Sequence, residues 1–128
     1  MAALIHLDTH VLIWLAARGG DALSERARAA IDEALELRCS PMVRLEMQYL
    51  YELGRLTHPA SEIFDSMSAA LGVRVSDAPF FAVVREAEQQ SWTRDPFDRL
   101  IVAQASVEGA DLVTKDAAIQ AAYSRAVW

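Results

Sequence analysis

Short apolar runs that alternate with helix-period stretches constrain this chain more than any other feature of its sequence. Leu4-Ile5-His6-Leu7 is such a run, ending at Asp8, and it reads as a central buried strand. Asp8 or Thr9 then caps a helix through Val11-Leu12-Ile13-Trp14-Leu15, closed by Gly19-Gly20. Ser24 caps a second helix, with Ala27, Ala30, Ile31, Ala34 and Leu35 in apolar register. Leu37 to Cys39 is the next strand, and Ser40-Pro41 opens a helix through Leu45, Met47, Leu50 and Leu53 to Gly54. A further helix spans Ala60 to Leu71, and Val73-Arg74-Val75 alternates as a strand. Asp77-Ala78-Pro79 begins a helix carrying Phe80, Phe81, Val84 and Ala87. Asp95-Pro96 caps another, with Leu100, Ile101, Ala103 and Ala105 apolar. The strand Asp111–Thr114, a short helix near Ala117 to Tyr123 and an edge strand at Val127-Trp128 complete the pattern. Strands and helices in this alternation predict an α/β domain with a mainly parallel sheet.

The 128 residues suit one compact domain over 1–128, and 53% hydrophobic content is ample for its core. Cys39 is the sole cysteine, so the chain forms no intrachain disulfide and no cysteine-based zinc cluster. That usage agrees with a reducing cytoplasm, the expected location. The apolar stretch Met1 to Ala17 lacks a basic leader, and His6, Asp8 and His10 interrupt it. It is therefore read as neither signal peptide nor membrane span, and no membrane association is expected. Net charge is −6, from 12 Lys and Arg against 18 Asp and Glu. This argues against a general basic nucleic-acid surface. It leaves room for a nuclease whose bound cations reverse the charge of an acidic site. No GxSxG, P-loop or GxGxxG motif occurs, so serine hydrolases, NTPases and dinucleotide enzymes lack their signatures.

The acids are the informative residues. Asp8 ends the first strand, and Asp116 lies just past the strand closing at Thr114. Glu46 falls in the first two turns after Ser40-Pro41, and Asp98 in the first turn after Asp95-Pro96. In open parallel sheets, ligands collect at the carboxyl ends of strands, where these positions emerge. Hard divalent cations need clustered oxygen ligands, and carboxylates brought together without a cation repel each other. Each acid alone also fits a plain structural role, as a cap for Asp8, Asp95 or Asp116 and as a helix-dipole partner for Asp98. Four coincident positions carry the argument. His6, His10 and His58 are expected to be packed or surface residues, and Trp14, Phe80, Phe81 and Phe97 to be core.

Three segments resemble the PIN-domain family, and within it the VapC-type toxins. They are Leu7-Asp8-Thr9-His10-Val11-Leu12-Ile13-Trp14, the stretch from Arg94-Asp95-Pro96-Phe97-Asp98-Arg99 to Ala105, and Asp111-Leu112-Val113-Thr114-Lys115-Asp116. Val127-Trp128 is similar to the family's final strand. The resemblance implies a PIN-like three-layer sandwich and an acidic metal site of Asp8, Glu46, Asp98 and Asp116. Thr114, and more weakly Thr9, match hydroxyl positions near it. Relatives often carry Trp before the glutamate where this chain has Leu45, which leaves Glu52 as the alternative second acid; Asp77 matches none.

The implied activity is Mg²⁺- or Mn²⁺-dependent hydrolysis of RNA by an endoribonuclease, with a cognate antitoxin and a homodimer as partners. Arg18, Arg44, Arg94 and Arg99 are the expected RNA contacts, and Tyr49, Leu50, Leu53 and the Ile63–Met67 helix offer apolar surface to a partner. Two rivals remain at this point. A phosphoacceptor receiver domain has only Asp77 to accept phosphate. A catalytically inactive PIN-like interaction module does not need all four acids.

Overall fold

The computed structural model describes residues 3–128; Met1 and Ala2, the start of the apolar N-terminal stretch, lie outside the described residues. The chain runs β1 (Leu4–Leu7), α1 (Thr9–Arg18), a 3-10 turn (Gly19–Ala22), α2 (Glu25–Glu33), β2 (Glu36–Cys39), α3 (Pro41–Glu52) and α4 (Ala60–Leu71). It continues with β3 (Arg74–Val75), α5 (Phe80–Ala87), α6 (Pro96–Val107), β4 (Asp111–Val113), α7 (Ala117–Ala122) and β5 (Ala126–Val127). The caps explain many of the boundaries. Asp8, Ser24, Ser40, Asp95 and Asp116 each accept a backbone N–H at the start of the following helix. Gly72 ends α4 at φ 71°, a left-handed conformation that glycine adopts without a Cβ clash.

The five strands form one sheet in the order β3-β2-β1-β4-β5, and every neighbouring pair is parallel. The expected mainly parallel sheet is thus wholly parallel. Parallel neighbours require a crossover between strands, which is the reason helices intervene throughout. Because side chains alternate along a strand, Ile5 and Leu7 face one side of β1 and His6 the other. Ile5 shares a depression with Ala29 and Ala30 of α2. His6 lies against Glu108, at the end of α6, and α5 packs on α6. Helices on both faces of the sheet give the three layers of a PIN-like sandwich.

Leu7, Leu12, Met47, Ile101, Leu112 and Ile119 are fully buried in the core. Each contributes roughly 1.5–3 kcal/mol by leaving water. Burial pushes the Cys39 thiol up to about 12, so it acts as a small apolar side chain. Among the described residues, no helix is long and apolar enough to cross a membrane.

One expectation about the core fails. Phe80 and Phe81 are 69% and 72% exposed, whereas Val83 and Ala87 face α6. The short α5 has room for a single buried stripe, and small residues let it approach Ala103 and Leu100 of α6 closely. Trp14 and Phe97 are half-buried rather than enclosed.

Candidate active site

Strand order reverses direction at the centre of the sheet: β1 leads outward to β2 and β3 on one side, while β4 and β5 lie on the other. The carboxyl ends of β1 and β4 therefore open a crevice at the switch point. Asp8 leaves β1 there, and Thr114-Lys115-Asp116 leaves β4. The Asp8 backbone N–H extends the ladder to the Val113 carbonyl at 3.0 Å, fixing where its side chain starts. A groove of about 500 Å³ follows, lined by Asp8, Glu46, Asp98 and Asp116 together with His10, Trp14, Asp95 and Lys115.

Two threonines knit three of the acids. Thr9 donates its N–H to Asp8 Oδ1 at 2.8 Å and its hydroxyl to Glu46 Oε1 at 2.5 Å. Thr114 donates its hydroxyl to Asp8 Oδ2 at 2.7 Å and accepts the Asp116 N–H at 3.1 Å. Both threonine side chains are buried and tie segments distant in sequence. Asp116 also caps α7, accepting from the Ile119 N–H at 2.9 Å. Its structural and site roles are compatible.

The electrostatics are unfavourable to bare carboxylates. Burial pushes Asp8 above its ordinary value, against the hydrogen bonds from Thr114 and Thr9. Burial also raises Glu46, opposed by Thr9 and reinforced by the charge of Asp8. Asp98 is pushed up to about 7 by burial and then by the charges of Asp95, Asp8, Asp116 and Glu46. Like charges held together in this way favour a proton or a cation.

The family follows from the whole chain. The PIN domain family model matches residues 5–124. The chain belongs to the PIN-domain family. It is 36% identical over 111 residues to Ribonuclease VapC22 of Mycobacterium tuberculosis, covering 86% of this chain and 85% of that protein. Its fold resembles the crystal structure of VapBC2 from Rickettsia felis bound to a DNA fragment from their promoter, with TM-score 0.65, 17% identity and coverage of 93% and 92%. VapBC-1 from nontypeable Haemophilus influenzae gives TM-score 0.61, 15% identity and coverage of 94% and 95%. These comparisons place the chain with the VapC-type members of the family.

All four acids named from sequence line the groove of this PIN domain. Glu52 does not: it is exposed at the end of α3, where it accepts from Gln48. Leu45 is 54% exposed beside Glu46. Asp95 lines the groove too, while its Oδ1 accepts from the Phe97 and Asp98 N–H groups as the α6 cap. His6 is buried and bonded to Ser76 and Glu108, and His58 is exposed against Glu62.

The four arginines expected to meet RNA do not line the groove. Arg99 donates to the Thr93 and Ala87 carbonyls and Arg94 to those of Ser91 and Thr93, so both brace the connection into α6. Arg44 stacks on Phe64, 5.3 Å from the ring centre. Sequence reasoning missed His10, Trp14 and Lys115 as groove residues. The usable signal was spacing: His10 and Trp14 are one helical turn apart just after the Asp8 cap, and Lys115 adjoins Asp116.

The donor set suits a hard divalent cation, since carboxylates are the chief ligands offered and their mutual repulsion is relieved by positive charge. Among the described residues, no three His, Cys, Asp or Glu side chains are arranged closely enough to chelate an ion as they stand.

Proposed function

We propose that this PIN-domain chain is a divalent-cation-dependent endoribonuclease that hydrolyses RNA phosphodiester bonds, acting as the toxin of a toxin–antitoxin pair. The observation carrying this reading is the convergence of Asp8, Glu46, Asp98 and Asp116, from four separate segments, on one groove at the switch point. The likeness to a protein named as a ribonuclease supports the activity.

In this reading Asp8, Asp98 and Asp116 would hold one or two Mg²⁺ or Mn²⁺ ions, with Glu46 completing the set directly or through water. When bound there, such a cation would supply a more acidic water and positive charge to offset that of the phosphate. Thr9 and Thr114 hold the orientations of Asp8 and Glu46, so that these groups need not reorganise when substrate arrives. Asp98, with its ionised form the most opposed by neighbouring acids, gains strongly from a cation nearby.

The VapBC structural relatives support a cognate antitoxin as partner. An arginine from that partner would pair with the carboxylates, and the exposed Leu45, Tyr49 and Leu53 on and beside α3 offer it apolar contact. A homodimer and a cytoplasmic location complete the reading. The test is incubation of purified, antitoxin-free protein with tRNA and other structured RNA, in Mg²⁺ or Mn²⁺ and in EDTA. Cleavage that requires metal and vanishes in Asp98→Asn, folded by circular dichroism, is expected. Wild type and variant behaving alike across several RNAs and both metals would favour the inactive interaction module.

A further inference from the structure

The groove holds more than acids, and what it adds bears on how RNA is held if the nuclease reading is right. His10 and Trp14 stand one turn apart on α1, on the face that begins at the Asp8 cap. Their ring centres lie 5.9 Å apart, and Trp14 meets Trp128 edge-on at 6.0 Å. The Lys115 ammonium sits 5.8 Å from the centre of each of these two indoles. His10 and Lys115 are exposed, and Trp14 is half-buried.

Core packing does not account for this arrangement. An indole that served only the core would turn its surface away from water, yet Trp14 borders a groove lined by carboxylates. Lys115 is the only lysine in the chain and the only lysine or arginine among the groove-lining residues. Among the described residues it forms no salt bridge, although Asp116 follows it directly. Its charge is held over aromatic faces instead. Apart from a bound cation, Lys115 is therefore the charge on the groove's lining that can attract a phosphate of the RNA backbone.

We propose that His10, Trp14 and Lys115 form a nucleotide subsite, in which an unpaired base stacks on the His10–Trp14 wall and Lys115 holds an adjoining phosphate. Stacking needs an open base face, which a duplex hides and a loop or single strand presents. The subsite grips that nucleotide beside the bond that the four acids address.

The experiment first maps the cuts made by wild-type protein in a structured RNA. The same RNA is then prepared with an abasic nucleotide at each position flanking a mapped cut. Loss of the base at one flank is expected to slow wild type about tenfold or more, and to cost Trp14→Leu nothing further. Trp14→Phe, which keeps a ring, should recover most of the rate. Lys115→Gln should lower the slope of log affinity against log salt by about one. Wild type indifferent to both abasic positions overturns the stacking, a result that needs no variant to fold. Abasic and Trp14→Leu losses that multiply also overturn it, an unchanged salt slope removes Lys115 from the phosphate, and cuts mapped only to paired regions overturn the stacked base. Absence of any cleavage by wild type is a different failure, that of the nuclease reading itself.

Discussion

Helix α6 carries a carboxylate near each end, and the two have opposite fates. Asp98 lies in its first turn, where the helix dipole favours a negative charge; Glu108 caps its C-terminus, where the dipole opposes one. Yet Asp98 is pushed up to about 7, while Glu108 is held below its ordinary value. Burial raises Glu108 first, but Ser76, His6 and Gln104 supply hydrogen bonds and charge that outweigh it. Arg38 adds a contact at 3.0 Å. Burial raises Asp98 first too, and Asp95, Asp8, Asp116 and Glu46 each raise it further. Burial with neighbouring acids thus overrides the dipole at Asp98, and local partners override both burial and dipole at Glu108. An acid given donors belongs to the framework, and an acid given only other acids needs something brought from outside.

The largest expected effect follows from exchanging the two. Asp98→Asn should cut RNA cleavage by a hundredfold or more, the scale of losing one group that stabilises developing charge. The same variant should raise the melting temperature of metal-free protein by a few degrees, because it removes a repelled charge. Glu108→Gln should do the reverse. It loses charged hydrogen bonds, costing about 2 kcal/mol of stability, and leaves cleavage within twofold. A Glu108→Gln protein that is as stable as wild type but inactive would break the contrast.

The pH dependence sharpens it. Asp98's folded value of about 7 exceeds its ordinary 3.8, so between these values the folded state binds more protons than the unfolded one. Stability of metal-free protein should therefore fall as pH rises from about 4 to 7, with Asp8 and Glu46 acting in the same direction. Saturating Mg²⁺ or Asp98→Asn should flatten that slope in thermal melts. Glu108 has the opposite sign: its stabilisation is present above its ordinary 4.5 and is lost on acidification through its lower folded value. His6 takes part as a ring that burial holds below its usual range, and hence neutral near pH 7.

Smaller effects probe the connecting parts. Thr114→Val removes the donor to Asp8 and the acceptor for the Asp116 N–H, at about 1 kcal/mol of stability; cleavage should fall about tenfold as Asp8 loses its orientation. Smallest of all, Phe80→Ser and Phe81→Ser should each change stability by less than about 0.5 kcal/mol in denaturant melts, since both rings already face water. A large loss there would return them to the core.

The failed reading of those two phenylalanines shows the reach of sequence. Element type and order were legible because alternation, caps and glycine stops act over a few residues: Asp8, Ser24, Ser40 and Asp95 announce their helices, and each does cap one. The exposed face of α5 was not legible, because Phe80 and Val83 are both apolar and only the approach of Ala103 decides which is covered. In the same way His6 looked interchangeable with His10. One is sealed between Ser76 and Glu108, whereas the other lines the groove.

The sequence alone determined an α/β chain with four acids at strand ends and helix starts, and its resemblance to PIN domains named those four. Local hydrogen bonding and periodicity suffice for that. Only the tertiary structure decided that all strands run parallel with β1 at the centre, that Glu46 and not Glu52 meets the groove, and that Lys115 rather than an arginine stands in it. These depend on which distant segments become neighbours, and that is fixed by the packing of the whole core, not by any short stretch of chain.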